Sequence, residues 1–551
     1  SNYEELVEDG YYYVDKTMYI EKLENLAEKR IMFLRPRKFG KTLFTSVLEN
    51  YYDVKKENKF EKLFGETYIG KNPTKLKNSY YILRFNFSGI NTKDEESTIN
   101  GFKQEVASSI NFFIQKYDID FYINENDTAE GILDNLFKAF YIQKSAERIY
   151  VIIDEYDHFA NELLGFRPDN FKNLVAKNGQ VRKWYEILKK GTESVVDRIF
   201  ITGVAPITLD SMTSGFNIIK DQTQDRTFNE MIGFTENELK ILMKEQEITE
   251  EKQKELLPIM KENYDGYKFS LKAEERIYNS NMCLYFLNEY VKYKEIPEEL
   301  VDVNIASDYS KIGSMLKLCK GESRLKIIEK TVSGKGVVTE ITQKFNPEIA
   351  FGEKEMVSML YYLGYLTIEG DVVGYPKLNI PNRVMKEIYS DYFLKILDEE
   401  ENLNIDSSYY TEIGIEIALE GKIDKATSLL QKYLSNLSNR DYQRFDEKYV
   451  KLIFYCIMMN LKIYNVKSEM EVGREYPDLV LIPKDRTKDY YSVMIEFKYL
   501  KKTEENKLKE KQKEAEEQIE RYSNSVEMKE IGKLNKYTVI VINDKIYIQK
   551  I

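Results

Sequence analysis

The apolar run Ile31 to Leu34 passes directly into Arg35-Pro36-Arg37-Lys38-Phe39-Gly40-Lys41-Thr42 and then into an amphipathic stretch near residues 41–52. Strand, glycine-closed loop and helix in that order place the loop at the carboxyl end of a sheet strand. The N–H groups at such a helix start have no intrahelical acceptor and can cradle an anion, which the helix dipole also favours. Lys41 would then reach the β- and γ-phosphates of a nucleotide, and Thr42 would ligate magnesium. Six basic residues, Lys29, Arg30, Arg35, Arg37, Lys38 and Lys41, lie here without an intervening acid. They read either as a phosphate-binding patch or as a solvated loop. The general pattern asks for glycine five residues before Gly40, where this chain has Arg35.

Two further strands complete the pattern. Tyr150-Val151-Ile152-Ile153 ends in Asp154-Glu155, so Asp154 could hold magnesium or its water while Glu155 polarises an attacking water. Ile199-Phe200-Ile201 ends in Thr202, a hydroxyl that could sense the γ-phosphate. Each piece alone also reads as a capped strand end; the three in chain order point to ATP. With Tyr80 to Phe87 as a fourth strand and helical stretches near 98–116, 130–146 and 170–190, residues 1–233 form an α/β domain with a mainly parallel sheet.

These residues resemble the bacterial AAA-ATPase-like family. Tyr11-Tyr12-Tyr13-Val14-Asp15-Lys16-Thr17, the Arg35 to Thr42 loop, Ile153 to Asp157, Thr202-Gly203-Val204 and Tyr264-Asp265-Gly266-Tyr267 fall in that family's order. The resemblance implies a P-loop fold that accepts arginine at the first glycine position, and a carboxyl-terminal nuclease-like partner domain. Asp15 and Asp265 read as turn or packing residues no less than as nucleotide contacts. Arg198 and Arg226 are the arginine-finger candidates.

The carboxyl-terminal region carries its own acids. Pro477-Asp478 opens the apolar strand Leu479 to Ile482, and Glu496-Phe497-Lys498 closes the strand Tyr490 to Lys498. With a period of two, Glu496 and Lys498 share one face. Two acids and a lysine at paired strand ends can hold magnesium beside a polarised water. On the helix that follows, Gln518 and Tyr522 are neighbours. The pattern resembles the PD-(D/E)xK nuclease superfamily. That resemblance implies Asp478 and Glu496 as metal ligands, Lys498 as the catalytic lysine, and Glu447, Gln518 and Tyr522 as accessory positions. Without catalysis, the same residues would form an ion network at strand ends.

Composition sets the exclusions. The chain of 551 residues has one histidine, His158, so histidine-cluster zinc sites are excluded and any metal must rest on carboxylates. Cys283, Cys319 and Cys456 form no CxxC pair. A net charge of −11 means that nucleic acid would be met by a local basic surface rather than a global field. The apolar run Leu452 to Met459 is too short for a bilayer, which needs about 20 residues.

The expectation is therefore a cytoplasmic α/β protein with no membrane contact. A P-loop NTPase-like domain spans 1–233, a helical and winged-helix-like region 234–400, and a helical linker with a restriction-endonuclease-like α/β domain 401–551. The helix Glu355 to Leu363, the strand pair from Gly364 and the helix from Asn382 give the middle region its winged-helix order. ATP and Mg2+ (Mn2+ also at the nuclease site) are the expected cofactors. The expected function is ATP binding or hydrolysis coupled to DNA cleavage. The alternative is a nucleotide-dependent regulator or assembly protein that binds nucleic acid without cutting. Homo-oligomerisation stays open.

Overall fold

The computed structural model describes residues 2–124, 126–158, 179–206, 218–301, 322–345, 352–437, 447–468 and 477–551. They group into two compact units, one of residues 1–320 and 338–382, the other of 321–337 and 383–551.

The first unit is organised by β1 (Arg30–Leu34), β2 (Tyr81–Asn86), β3 (Ile149–Asp154), β4 (Val196–Gly203) and β5 (Lys220–Asp221). Every neighbouring pair is parallel, in the order β2-β3-β4-β1-β5. All six residues of β3 are buried, as an interior strand covered on both faces requires. Among the helices of the described residues are α1 (Lys41–Tyr52), α2 (Glu95–Tyr117), α3 (Ala129–Gln143) and α4 (Gln180–Gly191). Asp94 and Thr128 cap α2 and α3 by accepting from Ser97 N and Gly131 N. Trp184 on α4 is fully buried, edge-on to Phe85 at 4.9 Å and to Phe102 at 5.5 Å. The first half of the helix expected over 170–190 lies outside the described residues. Because β4 stands between β1 and β3, the loop after β1, the end of β4 and the acids ending β3 share one edge of the sheet.

Next come α5 (Glu236–Glu245), α6 (Glu250–Tyr264), α7 (Ser280–Tyr293), α8 (Glu353–Tyr362) and a hairpin of β6 (Thr367–Val372) and β7 (Tyr375–Asn379). The Thr235 box at the start of α5 is complete: Glu238 N donates to Thr235 Oγ1, and Thr235 N to Glu238 Oε2. The order helix, strand pair, helix is present, but compactness divides it. The hairpin belongs to the first unit, whereas the next helix, α9 (Arg383–Glu401), belongs to the second.

The second unit adds α10 (Ser408–Glu420), α11 (Asp424–Leu437), α12 (Glu447–Met459) and α13 (Leu508–Ser523). Its sheet contains β8 (Tyr464–Ser468), β9 (Leu479–Pro483), β10 (Ser492–Leu500), β11 (Leu534–Ile542) and β12 (Lys545–Lys550), in the order β12-β11-β10-β9-β8. Among the described strands of this sheet only β10 and β11 are parallel, and α13 connects them, as a crossover must. Residues Leu452 to Met459 of α12 are buried, with Phe454 5.8 Å from Phe497 of β10, so this apolar run is core. Among the described residues no helix is long and apolar enough to cross a membrane.

Candidate active sites

At the carboxyl end of β1, Gly40 takes φ +101°, a left-handed value that glycine adopts without strain, and α1 starts at Lys41 with no side-chain cap. Its first amides are thus left for a ligand. Lys41 folds back, its Nζ donating to Pro36 O at 3.1 Å. Arg35 is almost fully buried and does not face the loop's open side. Its guanidinium donates to Leu34 O, Thr223 O and Phe228 O, and it lies between the rings of Phe33 and Phe269 at 4.1 and 4.2 Å. Lys29 pairs with Asp197 at 2.7 Å. Of the six basic residues, Arg37, Lys38 and Lys41 are those carried by the loop and the helix start.

The middle of the chain encases this loop. Phe39 packs edge-on against Tyr267 at 4.9 Å and Phe269 at 5.6 Å. Ser280 Oγ donates to Phe39 O at 2.9 Å. A Cβ on Gly364 would come within 2.8 Å of Pro36. Residues 264–280 and 364 therefore belong with the phosphate loop, which is why the first unit extends to Asn382 rather than stopping near 233. Asp15 caps turns, accepting from Thr17 N and Tyr68 N, and Lys16 pairs with Glu238 at 2.7 Å.

Asp154, fully buried at the end of β3, has the Thr42 side chain within hydrogen-bonding reach and Arg84 Nη2 at 3.4 Å from Oδ2. Its Oδ1 has no hydrogen-bond partner among the described residues. Burial, then the charge of Glu155, raises the Asp154 pKa; Arg84 and Lys41 oppose them. Glu155 adopts φ +52°, left-handed and strained for a non-glycine residue. Burial pushes Glu155 up, but His158 (Nδ1 3.7 Å from Oε2), Lys41 and Arg37 outweigh it and hold the carboxyl at about 2. Arg37 Nη2 lies 3.3 Å from the same His158 nitrogen. The Thr202 hydroxyl is buried and donates to Phe33 O at 2.8 Å, joining β4 to β1. Arg198 is buried among Tyr52, Tyr80 and Tyr150. Arg84 was not singled out from sequence; its signal was a charge inside the apolar run of β2.

In the second unit, Leu479 pairs with Ile495, so Asp478 and Glu496 fall beside each other where β9 meets β10. Asp478 Oδ2 accepts from Phe497 N at 2.7 Å, and Lys498 Nζ donates to Glu496 Oε1 at 3.0 Å. Glu496 Oε2 is buried and has no partner among the described residues. Burial and the charge of Asp478 push Glu496 up to about 7, against the pull of Lys498 and Lys451. Lys451, unnoticed in the sequence, donates to Asp478 Oδ1 at 2.7 Å and pairs with Glu447 Oε1 at 2.8 Å. Its only sequence signal was the four-residue spacing from Glu447. Tyr522 packs on the cluster of Val480, Ile482, Met494, Ile519 and Met528. Gln518 Oε1 is buried without a partner among the described residues.

Both acid pairs suit a hard cation, since each keeps one buried carboxylate oxygen unpartnered. Among the described residues no group of three or more His, Cys, Asp and Glu converges as a ready-made cage.

Comparison with known proteins finds a family for each of the two domains. Residues 1–213 match the family model described as a predicted AAA-ATPase, and residues 445–550 match the PD-(D/E)XK nuclease superfamily. The chain thus joins an AAA-ATPase-like domain to a nuclease-superfamily domain. An uncharacterised protein from the vnfD 5′ region of Azotobacter chroococcum mcd 1 is 27% identical over 232 residues. The match spans 42% of this chain and 41% of that relative, less than half of its length. Solved structures include the ORC2 protein of Aeropyrum pernix in ADPNP–ADP complexes, at 12% identity and TM-score 0.33. Cdc6p of Pyrobaculum aerophilum matches at 10% identity and TM-score 0.27. Each alignment covers 69% of this chain and 92% of the other. Scores this low bear on neither activity nor partners.

Proposed function

We propose that this protein binds ATP with magnesium at its phosphate loop and couples that binding, or hydrolysis, to divalent-metal-dependent cleavage of DNA by its carboxyl-terminal unit. The observation that carries the reading is Asp478, Glu496 and Lys498 converging at one strand junction, with Glu496 Oε2 left unpartnered.

In the first unit, Gly40, Lys41 and the α1 amides receive the triphosphate, Arg37 adds charge, and Thr42 and Asp154 would hold magnesium. Glu155, ionised at neutral pH, takes the proton of the attacking water or orients it. Thr202 braces β4 against β1. In the second unit, Asp478 and Glu496 would hold magnesium or manganese, which when bound would supply positive charge to the scissile phosphate and acidity to a water. Lys498, fixed by Glu496, positions that water, while Phe497 N orients Asp478. Residues 264–280 and Gly364 brace the phosphate loop, and the region 234–400 is read as carrying no second catalytic site. The same reading places the protein in the cytoplasm.

One observation favours the regulatory alternative: both Asp478 oxygens are already engaged, by Lys451 and by Phe497 N. A gel assay separates the two readings, using single-stranded, double-stranded and circular DNA with and without magnesium and ATP. Metal-dependent cutting supports the nuclease. ATP-modulated binding without cutting under any divalent metal replaces it with the regulator.

A further inference from the structure

The carboxylate centre of the second unit contains a cation of its own. Lys451 projects from the first turns of α12, and its ammonium stands between Asp478 Oδ1 at 2.7 Å and Glu447 Oε1 at 2.8 Å. Only 20% of its side chain is exposed, against 6% for Asp478. Held at these distances by two carboxylates, the ammonium is paired on both sides. Its field also reaches Glu496.

An ammonium bridging two carboxylates supplies positive charge between them, as a second divalent ion does in two-metal phosphodiester centres, where the ions lie about 4 Å apart. We propose that Lys451 is a built-in cation that fills one of two cation seats, so that this centre takes a single divalent ion, seated toward Glu496. The inference rests on the metal-dependent nuclease reading and specifies how many ions that site holds.

Charge balance supports it. Among the described residues, Glu447, Asp478 and Glu496 carry three negative charges when ionised, and Lys451 and Lys498 return two positive ones. Glu514, 3.9 Å from Lys498, is paired with Lys511 at 2.5 Å and leaves that balance unchanged. One divalent ion brings the centre to a single positive charge, which one phosphodiester neutralises. A second would leave three positive charges around one phosphate, with Coulomb repulsion between two close divalent ions. Geometry agrees, because the unpartnered oxygen belongs to Glu496 and the occupied one to Asp478. Lys451 is thus a positioning residue, holding Asp478 and Glu447 together without a second metal.

The test counts manganese on the full chain, without nucleotide and with Asp154→Ala throughout so that the phosphate-loop acids hold no ion, by calorimetry and by electron paramagnetic resonance. Wild type, Lys451→Met and Glu496→Gln are compared; methionine keeps the buried stem but removes the charge. Expected are one manganese in wild type, its loss in Glu496→Gln, and two in Lys451→Met with the dipolar broadening of a close pair. One manganese of unchanged affinity in Lys451→Met overturns the inference while leaving the metal-site reading intact. No manganese in wild type sinks that reading and the inference with it. Should Lys451→Met fail to fold, the wild-type count decides: one ion lost in Glu496→Gln supports the inference, and two ions overturn it.

Discussion

At the end of β3, Asp154 and Glu155 sit among Lys41, Arg37, Arg84 and His158; at the β9–β10 junction, Asp478 and Glu496 sit between Lys451 and Lys498. Both pairs are strand-end acids, and in both one buried oxygen lacks a partner among the described residues. Their electrostatics diverge. Glu155 is held at about 2 by surrounding cations, whereas Glu496 is pushed up to about 7 by burial and its acidic neighbour. The first site surrounds its acids with positive charge and helix-start amides, which suits an anion together with its metal. The second has acids in excess of lysines among the described residues, which suits a cation alone. Similar residues at similar places in two sheets are given opposite electrostatic surroundings by what packs around them.

The largest effect should come from emptying the carboxyl-terminal pair. Asp478→Ala is expected to remove manganese binding and to lower DNA cleavage by roughly 100- to 1,000-fold, the scale of losing a main electrostatic stabiliser. Lys498→Ala should separate the two readouts, leaving manganese bound while cleavage falls roughly 100-fold. Cleavage that persists in Asp478→Ala would break the comparison, since the acids would then form an ion network without catalytic use.

Glu155→Gln comes next. ATP binding should survive, because the phosphates meet Lys41 and the helix start, while phosphate release slows by roughly 100-fold. Lys41→Ala should reverse that pattern, weakening binding of a fluorescent ATP analogue roughly 10- to 100-fold through loss of a charge-assisted contact. Unaltered phosphate release in both variants would remove the β3 acids and the loop lysine from the chemistry.

How much of this could be read from sequence depended on range. The strands of the first sheet were legible because continuous apolar runs such as Tyr150 to Ile153 mark strands buried on both faces. The shared face of Glu496 and Lys498 followed from the period of a strand, and the structure sets their charged ends 3.0 Å apart. β8 escaped because Tyr464-Asn465-Val466-Lys467-Ser468 alternates over only five residues at a sheet edge. Arg35 read as one of an open basic patch, yet Phe269, more than 230 residues away, covers it. No local pattern reveals such a contact. The same long-range packing draws residues 264–280 and 364 into one compact unit with the loop. Lys451 was invisible for a related reason: spacing pairs it with Glu447, but only the fold brings Asp478 to its other side.

The smallest expected effect tests the opposite electrostatics directly, through pH. The folded value of Glu496, about 7, lies above the 4.5 of an unperturbed glutamate. Its protonated form therefore favours the folded chain: that contribution is complete below about 4.5 and is lost as pH rises through about 7. Glu155, at about 2, has the opposite sign, with a contribution complete above 4.5 and lost only as pH falls toward 2. Between pH 5 and 8, then, metal-free protein should melt at progressively lower temperature because of Glu496, while Glu155 adds no slope. Manganese should counter the decline, most strongly at pH 8, where no proton competes for Glu496. Glu496→Gln should flatten the metal-free slope, and Glu155→Gln should leave it as in wild type. A melting series across that range, with and without manganese, reads all four. If the slope persists unchanged in Glu496→Gln, the titration belongs to other groups and the contrast between the two acid pairs fails.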